Sequence, residues 1–173
     1  MDYQELLKRN RKKPLEASGG FTPLAWGRGE IQLILPHRAP FLLVDRLTGV
    51  NVEAETLRGL RSLSAEDPVF EGHFPDFPVY PGCLEVEMIG QLGLCLSYFL
   101  EKRTTEPPSE IVPLRVRATR ILGALYLEPV LPGKTVTLLA RKLDNDDYFA
   151  SVMGQVIVDD NVACVAICEV CFL

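Results

Sequence analysis

The chain has 173 residues, of which 47% are hydrophobic and 24% charged, a composition typical of one globular domain. Its net charge of −5 argues against a nucleic-acid-binding protein, without excluding local basic patches. A chain of this length can bury about 70% of its unfolded surface, so the fold requires neither a disulfide nor a metal. The five cysteines follow no small-domain spacing, and we interpret them as reduced thiols of a cytoplasmic protein.

The first 29 residues are interpreted as a loosely packed N-terminal extension that precedes a single domain over residues 30–173. The extension contains a basic cluster, Lys8-Arg9-Asn10-Arg11-Lys12-Lys13, and a Ser18-Gly19-Gly20 joint. A docking arm for an acidic partner is the alternative interpretation. Because the segment lacks a long apolar core, we expect no signal peptide.

Three short apolar stretches follow the extension. Residues 31–35 predict a helical turn that Pro36 ends, and residues 41–44, which do not alternate, predict a strand covered on both faces. Residues 50–64 predict another strand. Asp45 is either a turn residue at a strand end or a site residue.

One long apolar segment, residues 85–102, predicts the central helix. It is apolar on nearly every face, whereas a surface helix would show a polar side. Gln91 and Ser97 interrupt it before it reaches the ~18–20 apolar residues of a membrane span. We therefore expect a helix buried inside the protein and no membrane segment.

The C-terminal third is expected to consist of strands. Acidic turns separate the last three, which predicts an antiparallel meander. Together with the central helix, these strands predict an α+β architecture in which the sheet wraps the helix. The expected strands are residues 111–122, 134–143, 148–158 and 162–173.

His73 and Glu87 form a candidate acid–base pair across a proline-rich loop. Histidine moves protons near neutral pH, and a glutamate entering an apolar helix can be desolvated and act as an acid. Gly82 and Cys83 lie where the chain enters the helix, so their free N–H groups can polarise a carbonyl. The alternative is purely structural: a loop histidine bonded to a carbonyl, and a glutamate at the positive end of the helix dipole. Glu85 faces another side and is interpreted as a solvated cap.

Other chemistry has weaker support. Cys168 and Cys171 form a C-x-x-C pattern, but the chain has no second pair and only two histidines, so no zinc site is expected. The chain also contains neither a glycine-rich phosphate loop nor a G-x-S-x-G nucleophile motif.

Four segments stand out in the sequence: Leu-Pro-His-Arg-Ala-Pro-Phe-Leu-Leu-Val-Asp at residues 35–45, Gly-His-Phe-Pro at 72–75, Pro-Val-Tyr-Pro-Gly-Cys-Leu at 78–84, and Pro-Val-Leu-Pro-Gly at 129–133. The first resembles the opening motif of a known family, the 3-hydroxyacyl-[acyl-carrier-protein] dehydratases of fatty acid synthesis. The second and third, followed by Val86-Glu87 and Gln91, resemble the family's active-site signature, and the spacing from His73 to Glu87 is the family's spacing. The fourth resembles a later turn of the family.

The resemblance implies a hotdog fold, a long helix wrapped by a curved antiparallel sheet. It implies that His73 is the catalytic histidine, that Glu87 is the catalytic acid and that the Gly82 N–H donates to the thioester oxygen. Relatives that also isomerise the double bond carry aspartate at position 87, so Glu87 favours the plain dehydratase, although Pro-Gly-Cys-Leu at 81–84 is similar to the isomerising relatives. The reaction requires no metal or organic cofactor. The resemblance further implies a homodimer, or a higher oligomer of dimers, in which His73 of one subunit works with Glu87 of the other.

Two departures from the family concern the carrier. The extension is longer than usual, and Leu127-Glu128 stands where the family usually has basic residues. If the partner is an acyl carrier protein bearing a 3-hydroxyacyl phosphopantetheine thioester, an acidic chain must recognise it through a local basic patch. The alternatives are an acyl thioesterase on the same fold and a non-catalytic subunit that binds acyl chains or carrier. The candidates for the patch are Arg38, Arg115, Arg117, Arg120 and the cluster of residues 8–13.

Overall fold

The structure, a computed structural model, describes residues 2–15, 20–146 and 148–173. The described residues form one antiparallel sheet in the order β1-β2-β3-β5-β6-β7-β4, together with four helices. The helices are α1 (Tyr3–Arg9), α2 (Arg28–Ile34), α3 (Val69–Gly72) and α4 (Gly82–Lys102). The strands are β1 (Thr22–Trp26), β2 (Arg46–Asn51), β3 (Thr56–Ser62), β4 (Val116–Tyr126), β5 (Thr135–Asn145), β6 (Phe149–Val158) and β7 (Asn161–Phe172).

Helix α4 lies against β3, β5, β6 and β7. It has the length and composition of a membrane span, yet 56% of its most apolar window is buried inside the protein, as expected for a core helix. Close contact between helix and sheet requires small residues: a Cβ at Gly93 would lie 2.7 Å from Cγ1 of Val152. The predicted α+β architecture is confirmed, and a long helix wrapped by one antiparallel sheet is the hotdog fold.

The C-terminal meander β5-β6-β7 is also confirmed. The strand predicted over residues 111–122 begins later, at Val116. Val112 N and Leu114 N instead donate to carbonyls of Leu33 and Ile34, at 2.8 Å and 3.2 Å. The approach to β4 therefore pairs with α2 before it reaches the sheet.

Two predictions between residues 41 and 64 are wrong. Residues 41–44 form no strand, because the backbone of Phe41 and Leu43 hydrogen-bonds to the side chain of Gln91 rather than to a neighbouring strand. Residues 50–64 are not one strand either. The end of β2 turns at residues 52–55 into β3, with Glu55 in the left-handed region at φ 50°.

The interpretation of residues 1–29 as a loosely packed extension is wrong where the structure describes them. Leu7 and Leu15 are buried on the outer face of the sheet, in a cluster with Met153 and Ile167. The N-terminal segment removes this apolar outer face from water, and burial of apolar surface is favourable, which explains the packing. Strand β1 pairs with β2 and contributes Trp26 to the main core. Of the predicted joint, Ser18 and Gly19 lie outside the described residues, and the domain boundary at residue 30 stays a prediction.

A buried glutamine holds the basic part of the segment in place. Gln155 is fully buried on β6, and its Nε2 donates to the carbonyl oxygens of Asn10 and, at 2.9 Å, Lys13. Its Oε1 accepts from Leu15 N at 2.7 Å. The side chain thus fixes the backbone of residues 10–15, while the charged side chains of Arg11 and Lys12 extend outward.

The last strand of the sheet, β4, leaves apolar side chains exposed. Ile121 is 65% exposed and Tyr126 57% exposed along this edge. An edge strand also presents unpaired backbone groups to solvent, which favours pairing with another chain.

Candidate active site

His73 lies just after α3, at the start of the proline-rich loop. Its Nδ1 is 3.0 Å from the carbonyl oxygen of Val79, and Val79 N donates to the carbonyl oxygen of His73 at 3.0 Å. A carbonyl oxygen can only accept, so a neutral His73 must carry its proton on Nδ1. The lone pair is then on Nε2, which is the arrangement that a general base needs.

Glu87 lies on the second turn of α4, with its side chain 34% exposed. Its Oε1 accepts from Gln91 Nε2 at 2.9 Å and lies 3.6 Å from His37 Nε2. The carboxyl group is therefore held at one oxygen and accessible from outside the helix, an arrangement that suits proton transfer to a bound molecule.

Gln91 is the residue that orients Glu87. It is buried, and besides Glu87 it binds Phe41 O at 2.9 Å through Nε2 and Leu43 N at 2.8 Å through Oε1. These bonds fix the amide orientation, because only the NH₂ group can donate to two acceptors. The segment after Pro40 is thereby tied to the helix turn that carries Glu87.

The first residues of α4 can offer backbone N–H donors to a bound molecule, and this role stays a prediction. Gly82 and Cys83 are its first two residues, and their N–H groups have no acceptor within the helix. The preceding residue, Pro81, has no side-chain oxygen to cap them. Gly82 also has to be small, since a Cβ there would lie 2.5 Å from Cε1 of Tyr126. Glycine thus lets the Tyr126 ring pack directly on the start of the helix.

His37 is a site residue that the sequence reasoning did not single out. It lies beside Glu87, and its Nδ1 is buried without a hydrogen-bond partner among the described residues. A signal was present, because His37 is one of only two histidines and stands inside the family's opening motif. Proximity to Glu87 could not be read from that motif, since 50 residues separate the two along the chain.

The interpretation of Glu85 as a solvated cap is wrong. Glu85 is only 4% exposed, and its Oε2 is buried with no partner among the described residues. Desolvation raises the pKa of Glu85 to about 8. The turn of the helix directs Glu85 toward the sheet and Glu87 away from it, so the carboxyl group that loses its water is not the one in the candidate site.

The remaining candidates have structural roles in the described residues. Asp45 accepts from Arg28 at 2.6 Å, Arg61 at 2.9 Å and Ser62 N at 2.7 Å. Burial alone would raise the pKa of Asp45, but the Ser62 N–H and the two guanidinium groups outweigh it and hold the pKa below its ordinary value. It is a turn residue that joins β3 to α2.

All five cysteines are free thiols. Cys168 is buried and Cys171 partly exposed on β7, where residues three apart point to opposite faces. In residues 2–15, 20–146 and 148–173, no group of three His, Cys, Asp or Glu side chains could hold a metal ion.

Within one copy, His73 and Glu87 have separate partners. His73 is bound to its own loop, whereas Glu87 is bound to Gln91 and faces His37. Three aromatic side chains near the two residues, Phe41, Phe74 and Phe77, are exposed. The site of a single copy thus has an uncovered apolar rim.

Comparison with known proteins assigns the family. The family model of the FabA-like domain matches residues 35–167. A curated relative in Campylobacter jejuni (strain RM1221), named 3-hydroxyacyl-[acyl-carrier-protein] dehydratase FabZ, is 38% identical over 77% of this chain and 88% of its own. A FabZ of Methylobacterium nodulans is 32% identical over 86% of this chain and 95% of its own. The chain belongs to the FabA-like family, and the resemblance to the 3-hydroxyacyl-[acyl-carrier-protein] dehydratases is confirmed.

Solved structures share the fold. The dehydratase heterocomplex ApeI:P of Xenorhabdus doucetiae matches with a TM-score of 0.56 and 17% identity, covering 83% of this chain and 90% of that one. A mutant thioesterase of Pseudomonas aeruginosa matches with a TM-score of 0.52 and 17% identity, over 74% and 80% of the two chains. At such low identity these likenesses support the hotdog fold alone.

Proposed function

We propose that this protein removes water from 3-hydroxyacyl thioesters carried by acyl carrier protein, with His73 as the base and Glu87 as the acid. The activity class follows from the family and the relatives: the chain is a 3-hydroxyacyl-[acyl-carrier-protein] dehydratase, an enzyme of fatty acid synthesis. The observation that carries the residue assignment is the hydrogen bond from His73 Nδ1 to the Val79 carbonyl, which leaves Nε2 free as a base.

The proposed reaction uses each site residue once. The Gly82 N–H binds the thioester oxygen as it gains charge, which makes the C2 proton removable. His73 Nε2 takes that proton, and the electrons of the C2–H bond form the C2–C3 double bond. Glu87, in its acid form, gives its proton to the C3 hydroxyl as the C3–O bond breaks, so water leaves. Return of a proton from His73 to Glu87 resets the site.

A second copy of the chain is proposed to complete the site. Strand β4 is the last strand of the sheet, so the backbone groups on its outer side have no neighbouring strand, and Ile121 is exposed; a two-fold partner that pairs along β4 would cover both. Tyr126, which packs on Gly82, lies at the end of the same strand. Such a partner would reach the uncovered rim of Phe74 and Phe77 and bring its own Glu87 to His73. A cytoplasmic location, suggested by the free thiols, is part of the same proposal.

The basic cluster near residue 11 is the proposed docking surface for the acidic carrier. Arg11 and Lys12 line a shallow pocket together with Leu127 and Glu128, the positions where the family usually has basic residues. That pocket is one residue beyond Tyr126, which contacts Gly82. The N-terminal segment therefore supplies positive charge beside Leu127 and Glu128, which follow β4 and carry none.

The arginines proposed from the sequence are less suited to this role. Arg120 is paired with Glu169 at 2.6 Å, and Arg38 donates to the backbone carbonyls of Leu35 and His37, both at 2.8 Å. Arg115 and Arg117 are exposed but are not among the residues that line the pocket beside Glu128. The buried Gln155 instead fixes the backbone beneath Arg11 and Lys12, so these charges are presented on a rigid surface.

The reaction is tested by incubating the purified protein with a 3-hydroxybutyryl thioester while mass and free thiol are followed together. Loss of water without release of thiol is expected. Release of thiol without loss of water would support the thioesterase alternative. No reaction with either the carrier-protein thioester or the coenzyme A thioester would support a non-catalytic binding subunit.

The docking surface is tested with the charge reversals Arg11→Glu and Lys12→Glu in one chain. We expect KM for the carrier-bound substrate to rise about tenfold, because charges at the edge of an interface change the rate at which the partners associate more than they change the chemical step. KM for the coenzyme A thioester should stay unchanged, and salt should lower kcat/KM only for the carrier-bound substrate. Lys102→Glu, at the far end of α4, is the control. Equal, salt-insensitive kcat/KM for both thioesters would contradict the carrier assignment.

A further inference from the structure

The first turn of α4 holds a carboxyl group that the proposed reaction does not use. Glu85 follows Gly82 by three residues, so the two lie on about the same face of the helix, about 4.5 Å apart along its axis. Only 4% of Glu85 is exposed, and its Oε2 has no hydrogen-bond partner in the described part of the chain. Buried polar atoms are nearly always hydrogen-bonded, so this carboxyl group is an exception that needs a reason.

Tyr126, at the end of β4, links Glu85 to the proposed thioester donors. Its ring would meet a Cβ at Gly82 at 2.5 Å, so it packs directly on the start of the helix. Burial raises the pKa of the Tyr126 hydroxyl, and the charges of Cys164 and Glu85 add to the rise. The same ring therefore touches Gly82 and lies within electrostatic range of Glu85.

Titratable groups on two further segments feel the charge of Glu85. Burial raises the pKa of the Cys164 thiol on β7, and Glu85 is the next cause of the rise. Burial also raises the pKa of Tyr80, in the loop before α4, to about 12, and Glu85 is among the charges that contribute. Both groups are neutral at physiological pH, so neither can compensate a negative charge on Glu85.

The cation that acts on Tyr80 is already engaged. Arg61 on β3 lies 2.9 Å from the carboxylate of Asp45 and 4.0 Å from that of Asp67. Glu85 consequently experiences mainly its burial, which raises its pKa from the ordinary 4.5 to about 8. About nine in ten Glu85 side chains therefore carry a proton at pH 7.

An ionised Glu85 would oppose the proposed reaction. The thioester oxygen gains negative charge beside the N–H groups of Gly82 and Cys83, where the positive end of the helix dipole stabilises it. A carboxylate in the same turn would repel that charge and compete for the same dipole. Repulsion over roughly 10 Å, at the effective dielectric constant of a partly buried site, changes a rate by about tenfold.

We propose that Glu85 acts as a pH-sensitive control on the thioester donors Gly82 and Cys83: its neutral form leaves the positive end of α4 to the substrate oxygen, and its ionised form opposes the charge that develops there. This inference rests on the proposed function. Glu85 is a positioning residue, since it acts through the start of the helix and not by contact with the substrate. The enzyme therefore becomes slower as Glu85 loses its proton.

The first test compares the pH dependence of kcat/KM, with a 3-hydroxybutyryl thioester, in the wild type and Glu85→Gln. Glutamine has the size of a neutral glutamate and cannot ionise. Because the titrations of His73 and Glu87 are common to both proteins, the ratio of variant to wild type isolates Glu85. This ratio should be about one at pH 6 and 7 and rise to about five at pH 9.

The matched control is Glu5→Gln, which removes a carboxyl group from the first turn of α1. Glu5 is half exposed and paired with Arg9, so its charge lies in water and away from the candidate site. Its ratio to the wild type should stay at about one at every pH. Circular dichroism of each protein at each pH establishes that it is folded, because ionisation of Glu85 also lowers stability.

The second test observes the carboxyl group in the wild type and needs no variant that folds. Carbon-13 NMR of protein labelled at the glutamate carboxyl carbons should show a signal that titrates near pH 8, well above the ordinary 4.5. Where Glu85→Gln folds, its spectrum should lack this signal.

Three results would overturn the inference. An equal alkaline loss of kcat/KM in the wild type and Glu85→Gln would assign the loss to other groups. A loss in Glu85→Gln by one factor at every pH, with the fold intact, would leave Glu85 a structural role alone. A wild-type spectrum with no glutamate titrating above pH 7 would show that Glu85 is ionised when the enzyme works. Failure of the proposed function is distinguishable, because the wild type would then dehydrate no substrate at any pH while the Glu85 signal still titrated near pH 8.

Discussion

The two sides of helix α4 differ in how completely they are packed. On one side, Ile89 is fully buried and so close to β6 that a Cβ at Gly154 would lie 2.5 Å from it. On the other side, Gly90 has open space beside it and the Glu87 side chain is 34% exposed. One helix therefore supports the core with one face and leaves the other unfilled, as expected where a substrate must enter.

The same difference separates two carboxyl groups that are two residues apart. Glu85 is buried against the sheet without a partner, whereas Glu87 is held by Gln91 and accessible. Burial alone therefore does not identify the proposed catalytic acid. Access for the substrate and an orienting hydrogen bond distinguish Glu87.

The first prediction separates the two carboxyl groups by activity. Glu87→Gln should lower kcat/KM for dehydration by a factor of at least ~10², the usual contribution of a general acid, while Glu85→Gln should change it by less than about threefold. Steady-state rates with a 3-hydroxybutyryl thioester measure both. An equal loss in the two variants would mean that the sides of α4 are not functionally distinct.

The second prediction separates Glu85 from Glu87 by the pH dependence of the free energy of unfolding. Burial raises the pKa of Glu85 to about 8 in the folded state, above its ordinary value of 4.5. The unfolded chain then releases this proton at lower pH than the folded chain, so stability should be full below pH 4.5 and fall as pH rises to about 8. The loss by pH 7 should be up to about 3 kcal/mol.

Urea unfolding of the wild type and Glu85→Gln at pH 5, 6, 7 and 8 checks this. Glu85→Gln should lack the part of the change of unfolding free energy with pH that Glu85 causes, while Glu87→Gln should retain it. A wild-type slope that survives in Glu85→Gln would show that other groups cause it.

The third prediction compares the two glycines. Gly93→Ala should destabilise the protein by about 1–3 kcal/mol, because its Cβ would overlap Val152. Gly90→Ala should stabilise it by up to about 1 kcal/mol, because alanine favours the helix and the space is open. Chemical unfolding with light scattering as a check on assembly measures both. Destabilisation by Gly90→Ala would indicate that something packs against that position.

Much of the fold could be predicted because its signals are local. The apolar run of α4 and the acidic turns of the meander indicate their own structure, and the spacing of the motifs indicates the family. The prediction of a strand over residues 41–44 is wrong because their hydrogen-bond acceptor and donor belong to Gln91, far along the chain. The prediction of a loosely packed N-terminal segment is wrong because the apolar face that it covers exists only after β5–β7 have assembled.

The sequence predicts which residue types form the candidate site, but not which side chains surround them. The burial of Glu85 depends on how α4 is rotated against the sheet, which a helix apolar on nearly all sides does not reveal. The contact between His37 and Glu87 depends on the Gln91 bonds that hold residues 41–43. Which His73 works with which Glu87 depends on a second copy and stays a prediction.

The most direct test of the account is complementation between His73→Ala and Glu87→Gln subunits. Each variant alone should keep no more than about 1% of wild-type activity. Subunits mixed under dissociating conditions and reassembled should recover about one quarter of wild-type activity, because half of the dimers are mixed and each mixed dimer has one complete site of two. No recovery, with mixed dimers demonstrated by mass spectrometry, would contradict a site shared between subunits.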